Sequence, residues 1–533
     1  MSVSLASQQT GRQGESGSAD VRIGCAVVLL LLGVAVWTRL LLPMNTDTSW
    51  LMTVADMVLD GKKLYVDVSE TNPPASMWIY LPAVALARLL KMAAEPFVIA
   101  WIFGLAAASL GVSFRILAMT DWLQRYDRLV LLSFAIVVFT ILPGNTFTER
   151  EHVATLLCLP FLAATVARAE GCAVSWPLLV AAGLCGGMVA SIKPHFVLGL
   201  ELPVLVALSV RRRWNTLFSI ENVIAGMATI AYLASIFVFY PDYWTITVPV
   251  NKAIYLPAAR QGEALQSTYV LLVAALVLTS WMVLGSRFRQ HPAAIVLAAA
   301  VGFCIAFIIQ GKLWPYQIYP AIALGLTGAA LVVMDRTSGH AAGAGTLLGR
   351  HWWLAFIFHP IIAMAATVAF CAPGFFIHLR HDRLAEAITR IHPRPTVAVV
   401  SGDIALGHPV TRMVNGHWGM TQWALWIETY GLRLRKQFAG RAEFQTMLPA
   451  IEAIEKSDMT AFLADLRRNR PDILLTFRSE TALRAHIRSF PGIAEELDRY
   501  DVAGSVALTD QNEGIVDILR RRPEAQATSG SQL

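Results

Sequence analysis

Apolar stretches recur along the whole chain, near residues 23–42, 77–91, 96–118, 129–143, 152–168, 176–192, 196–210, 217–240, 268–286, 293–310, 320–334 and 352–373. Several approach the roughly 17–25 residues that cross a bilayer as helix. Val21 to Leu42 carries only Arg22 and Arg39 as charges, and Ala293 to Ile309 and Trp352 to Phe370 are similar. A chain of this kind reads as a polytopic α-helical membrane protein. Composition agrees: 15% of its 533 residues are charged, against about 25% in a soluble globular chain, and the mean hydropathy is +0.54. The net charge of +6 is spread over short loops, where Lys and Arg set orientation in a membrane. It therefore does not indicate a nucleic-acid partner.

Cys25, Cys158, Cys172, Cys185, Cys304 and Cys371 mostly lie inside apolar runs without CxxC spacing. They read as small buried hydrophobes rather than a zinc site or a disulfide framework. The first twenty residues, "MSVSLASQQTGRQGESGSAD", are polar and rich in Ser, Gly and Gln, which predicts a disordered cytoplasmic tail. The span after them has no small-residue cleavage site and reads as an uncleaved anchor. From about residue 380 the character changes. "PTVAVV" (395–400) and "DILLTF" (472–477) look like buried strands and "TAFLADLRRNR" (460–470) like a helix, so residues 380–533 are expected to form a water-soluble α/β domain.

Positive charge orients the chain. "RRRW" (211–214), "RFRQH" (287–291) and Arg336 to Arg350 are expected on the cytoplasmic side. "IKPHF" (192–196), residues 239–265, "QGKLWPYQIYP" (310–320) and the carboxy-terminal domain then face outward, into the periplasm of a bacterial inner membrane. Counting from either end also places "MNTDTSW" (44–50) and "GNTFTEREH" (144–152) outside. Three apolar segments separate those two loops, so one of them must fail to cross. The short segment 77–91, ending in Arg88 and Lys91, is the first candidate and 129–143 the second; about eleven crossing helices remain.

The outward loops carry the polar and aromatic clusters. Trp50, Leu51, Val54, Met57 and Val58 follow i, i+4, i+7 spacing, which predicts an amphipathic helix lying on the membrane surface. Asp47 is at its N-cap position, a duty that aspartate performs well and that would by itself account for it. "TEREH" sets Glu149, Arg150, Glu151 and His152 at the mouth of a span. "KPH" sets Lys193 and His195 around a helix-breaking proline. "GKLWPYQIYP" joins Lys312 to Trp314, Tyr316, Gln317 and Tyr319. Such clusters also serve as solvated caps, snorkelling cations or interfacial aromatic belts. Ionisable residues at the membrane boundary are nevertheless costly and so are functional candidates.

The acidic residue closing the first span, the helix after it, the turn "GKKLYVD" (61–67) and the Pro-Pro of "NPPASMW" (72–78) resemble the GT-C glycosyltransferases. These include the protein O-mannosyltransferases, the lipid A aminoarabinose transferases and the bacterial arabinofuranosyltransferases. The resemblance covers roughly residues 23–375, so that residues 21–375 would be a GT-C-like catalytic domain. It implies an inverting transfer of a hexosyl or pentosyl group from a polyprenyl-phosphate donor to an envelope glycan, lipid or protein acceptor. Asp47 would be the general base and Glu149 and Glu151 a second acidic site. Arg150, His152, Lys193, His195 and Lys312 would hold the lipid phosphate, with Lys252 and Arg260 as further outward cations. Trp314, Tyr316, Gln317, Tyr319 and Asn72 would contact sugar or acceptor. Two positions depart from the family pattern: Thr48 stands where many members have a second acid, and Asn72 where many have lysine before the Pro-Pro.

Other motifs fail on context. "GAGTLLG" (343–349) has no strand before it, and "SGDIALG" (401–407) lacks the Lys-Ser/Thr of a phosphate loop and reads as a strand connection. His417 and Trp418 read as ordinary loop residues. No cluster has metal-ligand spacing, which leaves a divalent cation open. Two competing readings are a transporter or flippase of lipid-linked sugars and a non-catalytic envelope assembly protein. A transporter should carry ionisable residues mid-span or show repeated halves. An assembly protein would tolerate Asp47→Asn and Lys312→Ala.

Overall fold

The computed structural model describes residues 3–123, 128–337, 359–377, 379–508 and 514–523. "GAGTLLG" and the first part of the 352–373 segment lie outside the described residues. The chain divides into two compact units, residues 1–43, 93–235 and 260–377 forming one and residues 44–92, 236–259 and 378–533 the other.

Unit one is built of spanning helices, and the chain is a multi-pass membrane protein. Among the described residues eight helices are long and apolar enough to cross: Val21–Leu41, Ala94–Leu117, Arg150–Glu170, Pro194–Arg211, Ile220–Phe239, Gln261–Gln290, Pro292–Gln310 and Pro315–Asp335. Arg128–Ile141, Trp176–Ile192 and Pro360–Phe375 are shorter apolar helices. The first helix runs Val3–Leu41, so residues 3–20, expected as a disordered tail, continue it instead; extending an existing helix avoids the cost of a new nucleus.

Residues 77–91 are the first candidate for the segment that fails to cross. They form Ala75–Trp78 and Leu81–Leu89 within unit two. Nine helical residues reach only about 14 Å, less than half of a hydrocarbon core about 30 Å thick. Segment 129–143 is the helix Arg128–Ile136 prolonged by the π-helical turn Val137–Ile141.

Burial separates interior helices from lipid-facing ones. Arg150–Glu170 is 89% buried, Pro315–Asp335 83% and Pro292–Gln310 72%, whereas Val21–Leu41 and Ile220–Phe239 are 6% buried. The interior helix Pro292–Gln310 and its neighbour Pro194–Arg211 approach through glycines, the usual device where lipid removes any hydrophobic drive for association. A Cβ on Gly302 would collide with the Leu198 carbonyl oxygen, and one on Gly199 with the Phe303 ring. Gly302→Val should therefore destabilise unit one at or above the upper end of the about 1–3 kcal/mol typical of overpacking, read as a lower melting temperature and loss of monodisperse protein in detergent.

Unit two holds the α/β domain and two insertions from the membrane part. Its helices are α1 (Thr46–Leu59), α2 (Leu81–Leu89), α3 (His381–Ile391), α4 (Trp426–Gln437), α5 (Ala442–Asn469) and α6 (Thr481–Arg488). Its strands are β1 (Thr396–Val399), β2 (His417–Trp418), β3 (Ile473–Phe477), β4 (Tyr500–Ala507) and β5 (Ile515–Arg521). The sheet order is β2-β1-β3-β5-β4. β1 runs parallel to β2 and β3, with Val397 opposite both Trp418 and Ile473; β5 is antiparallel to β3 and β4. β1 and β3 are the strands read from "PTVAVV" and "DILLTF", apolar throughout because parallel strands are covered on both faces. Trp426, Tyr430, Leu434 and Phe444 form a core with Ile254 and Ala258 of the second insertion.

One expectation is overturned. α1 does not lie on a membrane surface: Thr48 to Ala55 and Met57 are all buried. Its apolar stripe packs into unit two, where Trp50 lies 5.3 Å from the His408 ring and 6.4 Å from Trp418.

Candidate active site

The three polar clusters of unit one come together. Arg150 opens the helix Arg150–Glu170 with Glu149 before it, and the helix Trp176–Ile192 ends at Lys193 in extended backbone ahead of Pro194. Lys193 Nζ lies 2.5 Å from Glu151 Oε1 and donates to Gln310 Oε1 at 2.9 Å. Gln317 Nε2 donates to the same Gln310 oxygen at 3.1 Å. Glu149 and Glu151 are fully buried, and Arg150, Lys193 and Lys312 are 5–7% exposed. The "TEREH", "KPH" and "GKLWPYQIYP" motifs thus contribute to one closed polar network, whose charges would be untenable this deep without partners. His195 is half-buried beside it, its ring 5.1 Å from Phe196.

Two predicted ligand-binding residues occupy other places. His152 is fully buried, with Nε2 2.8 Å from the Phe139 carbonyl and its ring between Phe147 and Tyr319. Tyr319 is also fully buried and donates its hydroxyl to the Val138 carbonyl. Both satisfy carbonyls at the π-helical turn, where i→i+5 bonding disturbs the helical ladder. They brace the core. Trp314 and Tyr316 stay half-exposed and stack at 5.7 Å, a flat aromatic surface suited to a sugar ring. Arg260 pairs with Glu263 at 3.0 Å, and Lys252 is exposed.

Sequence reasoning passed over two members of this region. Arg39, 8% exposed, donates to the Gly144 carbonyl and lies 4.7 Å over the Phe147 ring. Its signal was a lone arginine near the end of an apolar run. Gln310, which joins Lys193 to Gln317, gave no signal beyond being the last residue of its span.

In unit two the cap of α1 is Asn45, not Asp47: the Asn45 side chain accepts from the N–H groups of Asp47 and Thr48. Capping therefore does not explain Asp47, which sits half-buried in the first helical turn. The loop behind it is tied down. Glu70, 2% exposed, accepts from Trp50 Nε1 at 2.6 Å, Asn72 N at 2.9 Å and Asn72 Nδ2 at 2.6 Å. Asn72 thus spends its amide on Glu70. Tyr65 adopts a positive φ of 71° in the "GKKLYVD" turn and donates its hydroxyl to the Asn72 carbonyl, and Asn251 holds the Thr71 carbonyl at 2.8 Å.

The loop after β1 lies along the same helix. Asp403 Oδ1 accepts from Ala405 N at 2.9 Å, and Glu480 Oε1 from Gly402 N at 3.3 Å. Arg412 pairs with Asp56 at 2.6 Å. His408 is fully buried between Trp50 and Trp418; burial, then the Arg412 charge, pushes its pKa down to about 3, so the ring is neutral. Asp403 is exposed to water. Among the described residues no group of three or more His, Cys, Asp or Glu side chains is arranged to hold a metal ion.

No protein-family model matches the chain, and no curated protein matches it. Among solved structures it is similar to the crystal structure of ArnT from Cupriavidus metallidurans bound to undecaprenyl phosphate. The TM-score is 0.50 at 15% identity, over 95% of this chain and 99% of that one. At that identity the likeness is one of fold alone.

Proposed function

We propose that the chain is an inverting glycosyltransferase that moves a sugar from a polyprenyl-phosphate carrier to a hydroxyl-bearing envelope acceptor, on the non-cytoplasmic face of a bacterial inner membrane. The observation that carries this reading is the chain-long likeness in fold to a protein whose structure holds undecaprenyl phosphate. Asp47 is the general base. It takes the proton of the acceptor hydroxyl as that oxygen forms its bond to the anomeric carbon. The bond from that carbon to the phosphate oxygen breaks, and the electron pair leaves with the polyprenyl phosphate. Negative charge therefore grows on the phosphate, and preorganised cations stabilise it most where water is excluded. Lys193, Arg150 and Lys312 are outward-loop cations that the fold buries, and we assign them to the phosphate. The stacked Trp314–Tyr316 pair is assigned to the sugar.

The test uses purified full-length protein in micelles with synthetic polyprenyl-phosphate hexoses and pentoses and short glycan or alcohol acceptors. Free polyprenyl phosphate should accumulate with at least one donor. Intact donor throughout the panel would refute the reading.

A further inference from the structure

Three interior helices of unit one carry the buried network at one end and a second polar crevice at the other. The helix Arg150–Glu170 leaves the network at Arg150 and reaches Glu170 about 30 Å away, at 1.5 Å per residue. Pro292–Gln310 begins at the crevice and ends in the network at Gln310, and Pro315–Thr337 runs from Gln317 to Asp335. At this far end Asp121, Glu170, Asp335, Arg287 and His291 line a crevice of about 450 Å³. Asp335 is 6% exposed, with Oδ2 4.0 Å from His291 Nε2, whereas Asp121, Glu170 and Arg287 are exposed. Among the described residues the lining carries three acids against one arginine. That balance is unexpected beside "RFRQH" (287–291), since loops on the basic side of a membrane protein carry an excess of Lys and Arg.

The crevice opens inward onto apolar space. Trp122 and Pro292 belong both to its wall and to that of an apolar cavity of about 120 Å³, which lies between the helices Ala94–Leu117, Arg128–Ile136 and Arg150–Glu170. Phe134 and Ala330 are in turn shared by this cavity and an apolar groove of about 640 Å³. Val130, Ile361 and Val368 of the groove are exposed, on the surface that a spanning bundle turns to lipid. Crevice, cavity and groove therefore form one continuous path with a single charged end. A water-soluble ligand would use the crevice alone, whereas a bilayer lipid uses all three.

The charged end selects the headgroup. An arginine fork matches a phosphodiester, and the carboxylates call for a cation that donates hydrogen bonds. An ethanolamine headgroup offers both, a phosphate and a primary ammonium with three N–H donors. A choline headgroup has no N–H and would leave the carboxylates without donors, and a glycerol headgroup has no positive charge to set against them. We infer that this end of unit one binds a phospholipid of the surrounding bilayer through an ethanolamine headgroup. Its ammonium sits among Asp121, Glu170 and Asp335, its phosphate on Arg287, and one acyl chain passes Trp122 into the apolar cavity. The site lies at the opposite end of the bundle from Lys193 and does not depend on the glycosyltransferase reading.

Delipidated full-length protein in detergent is titrated with dioleoyl phosphatidylethanolamine, phosphatidylcholine, phosphatidylglycerol and chainless glycerophosphoethanolamine, with binding read by native mass spectrometry and by thermal unfolding. Phosphatidylethanolamine should bind at least about 10-fold more tightly than the other two lipids, the ratio that one charge-assisted hydrogen bond supplies, and should raise the melting temperature. Glycerophosphoethanolamine should do neither at the same concentration. Asp121→Asn with Glu170→Gln alters exposed side chains only. That double variant should melt like wild type without lipid and lose the preference for ethanolamine. Phosphatidylcholine or phosphatidylglycerol binding as tightly as phosphatidylethanolamine, or an undiminished preference in the double variant, overturns the headgroup assignment. Glycerophosphoethanolamine binding as tightly as the whole lipid overturns the role of the apolar cavity.

Discussion

Asp47→Asn should lower turnover by about 10²–10⁴-fold, the range that a positioned general base contributes, in a protein that remains folded and still binds its donor. The structure separates these outcomes. Asn45, not Asp47, caps α1, and the helix is anchored by its buried face and by the Trp50–Glu70 bond of 2.6 Å. Asparagine matches aspartate in shape, so the variant removes one negative charge and one proton acceptor. It should melt no lower than wild type while losing transfer. A variant that loses transfer and melting temperature together would mark Asp47 as structural.

Lys193→Ala should destabilise the chain by about 3–5 kcal/mol, the loss that follows when one partner of a buried ion pair is removed. Glu151 has no exposed surface, its Oε1 lies 2.5 Å from Lys193 Nζ, and Gln310 would lose the same donor. Replacing both charges, as in Lys193→Met with Glu151→Leu, should restore much of the stability, because two apolar side chains leave no buried charge uncompensated. This pair of variants also tests the phosphate role. Undecaprenyl phosphate should raise the melting temperature of the wild-type protein and fail to raise that of the refolded double variant. If the lipid stabilises the double variant as strongly as wild type, Lys193 holds the fold and not the phosphate.

The span pattern was legible because hydrocarbon imposes a length and an apolar character on every crossing helix. The strands β1 and β3 were legible for a similar reason: buried parallel strands read as short apolar runs. The β4–β5 hairpin was not read, since burial alternates along β4 with mostly exposed residues and the strands depend on their neighbours. The apolar stripe of α1 was legible but its partner was not. An amphipathic face looks the same to a membrane as to Trp418 and His408, which lie more than 350 residues away in the chain.

The site followed the same division. "TEREH", "KPH" and "GKLWPYQIYP" were each conspicuous as charge beside apolar sequence, and unit one joins them at Lys193. Within them, sequence could not say which side chains point at one another. The partners of His152 and Tyr319, the Phe139 and Val138 carbonyls, were thus beyond its reach.

The account rests on a broken sugar–phosphate bond, and the covalent fate of the carrier tests it most directly. Full-length protein is reconstituted into sealed vesicles with a synthetic polyprenyl-phosphate sugar and a glycan acceptor, and the lipids are analysed by mass spectrometry. The account predicts free polyprenyl phosphate and glycosylated acceptor in equal amounts, both lost in Asp47→Asn. Intact donor redistributed between leaflets, with no free polyprenyl phosphate, would contradict it and identify the chain as a carrier of lipid-linked sugars.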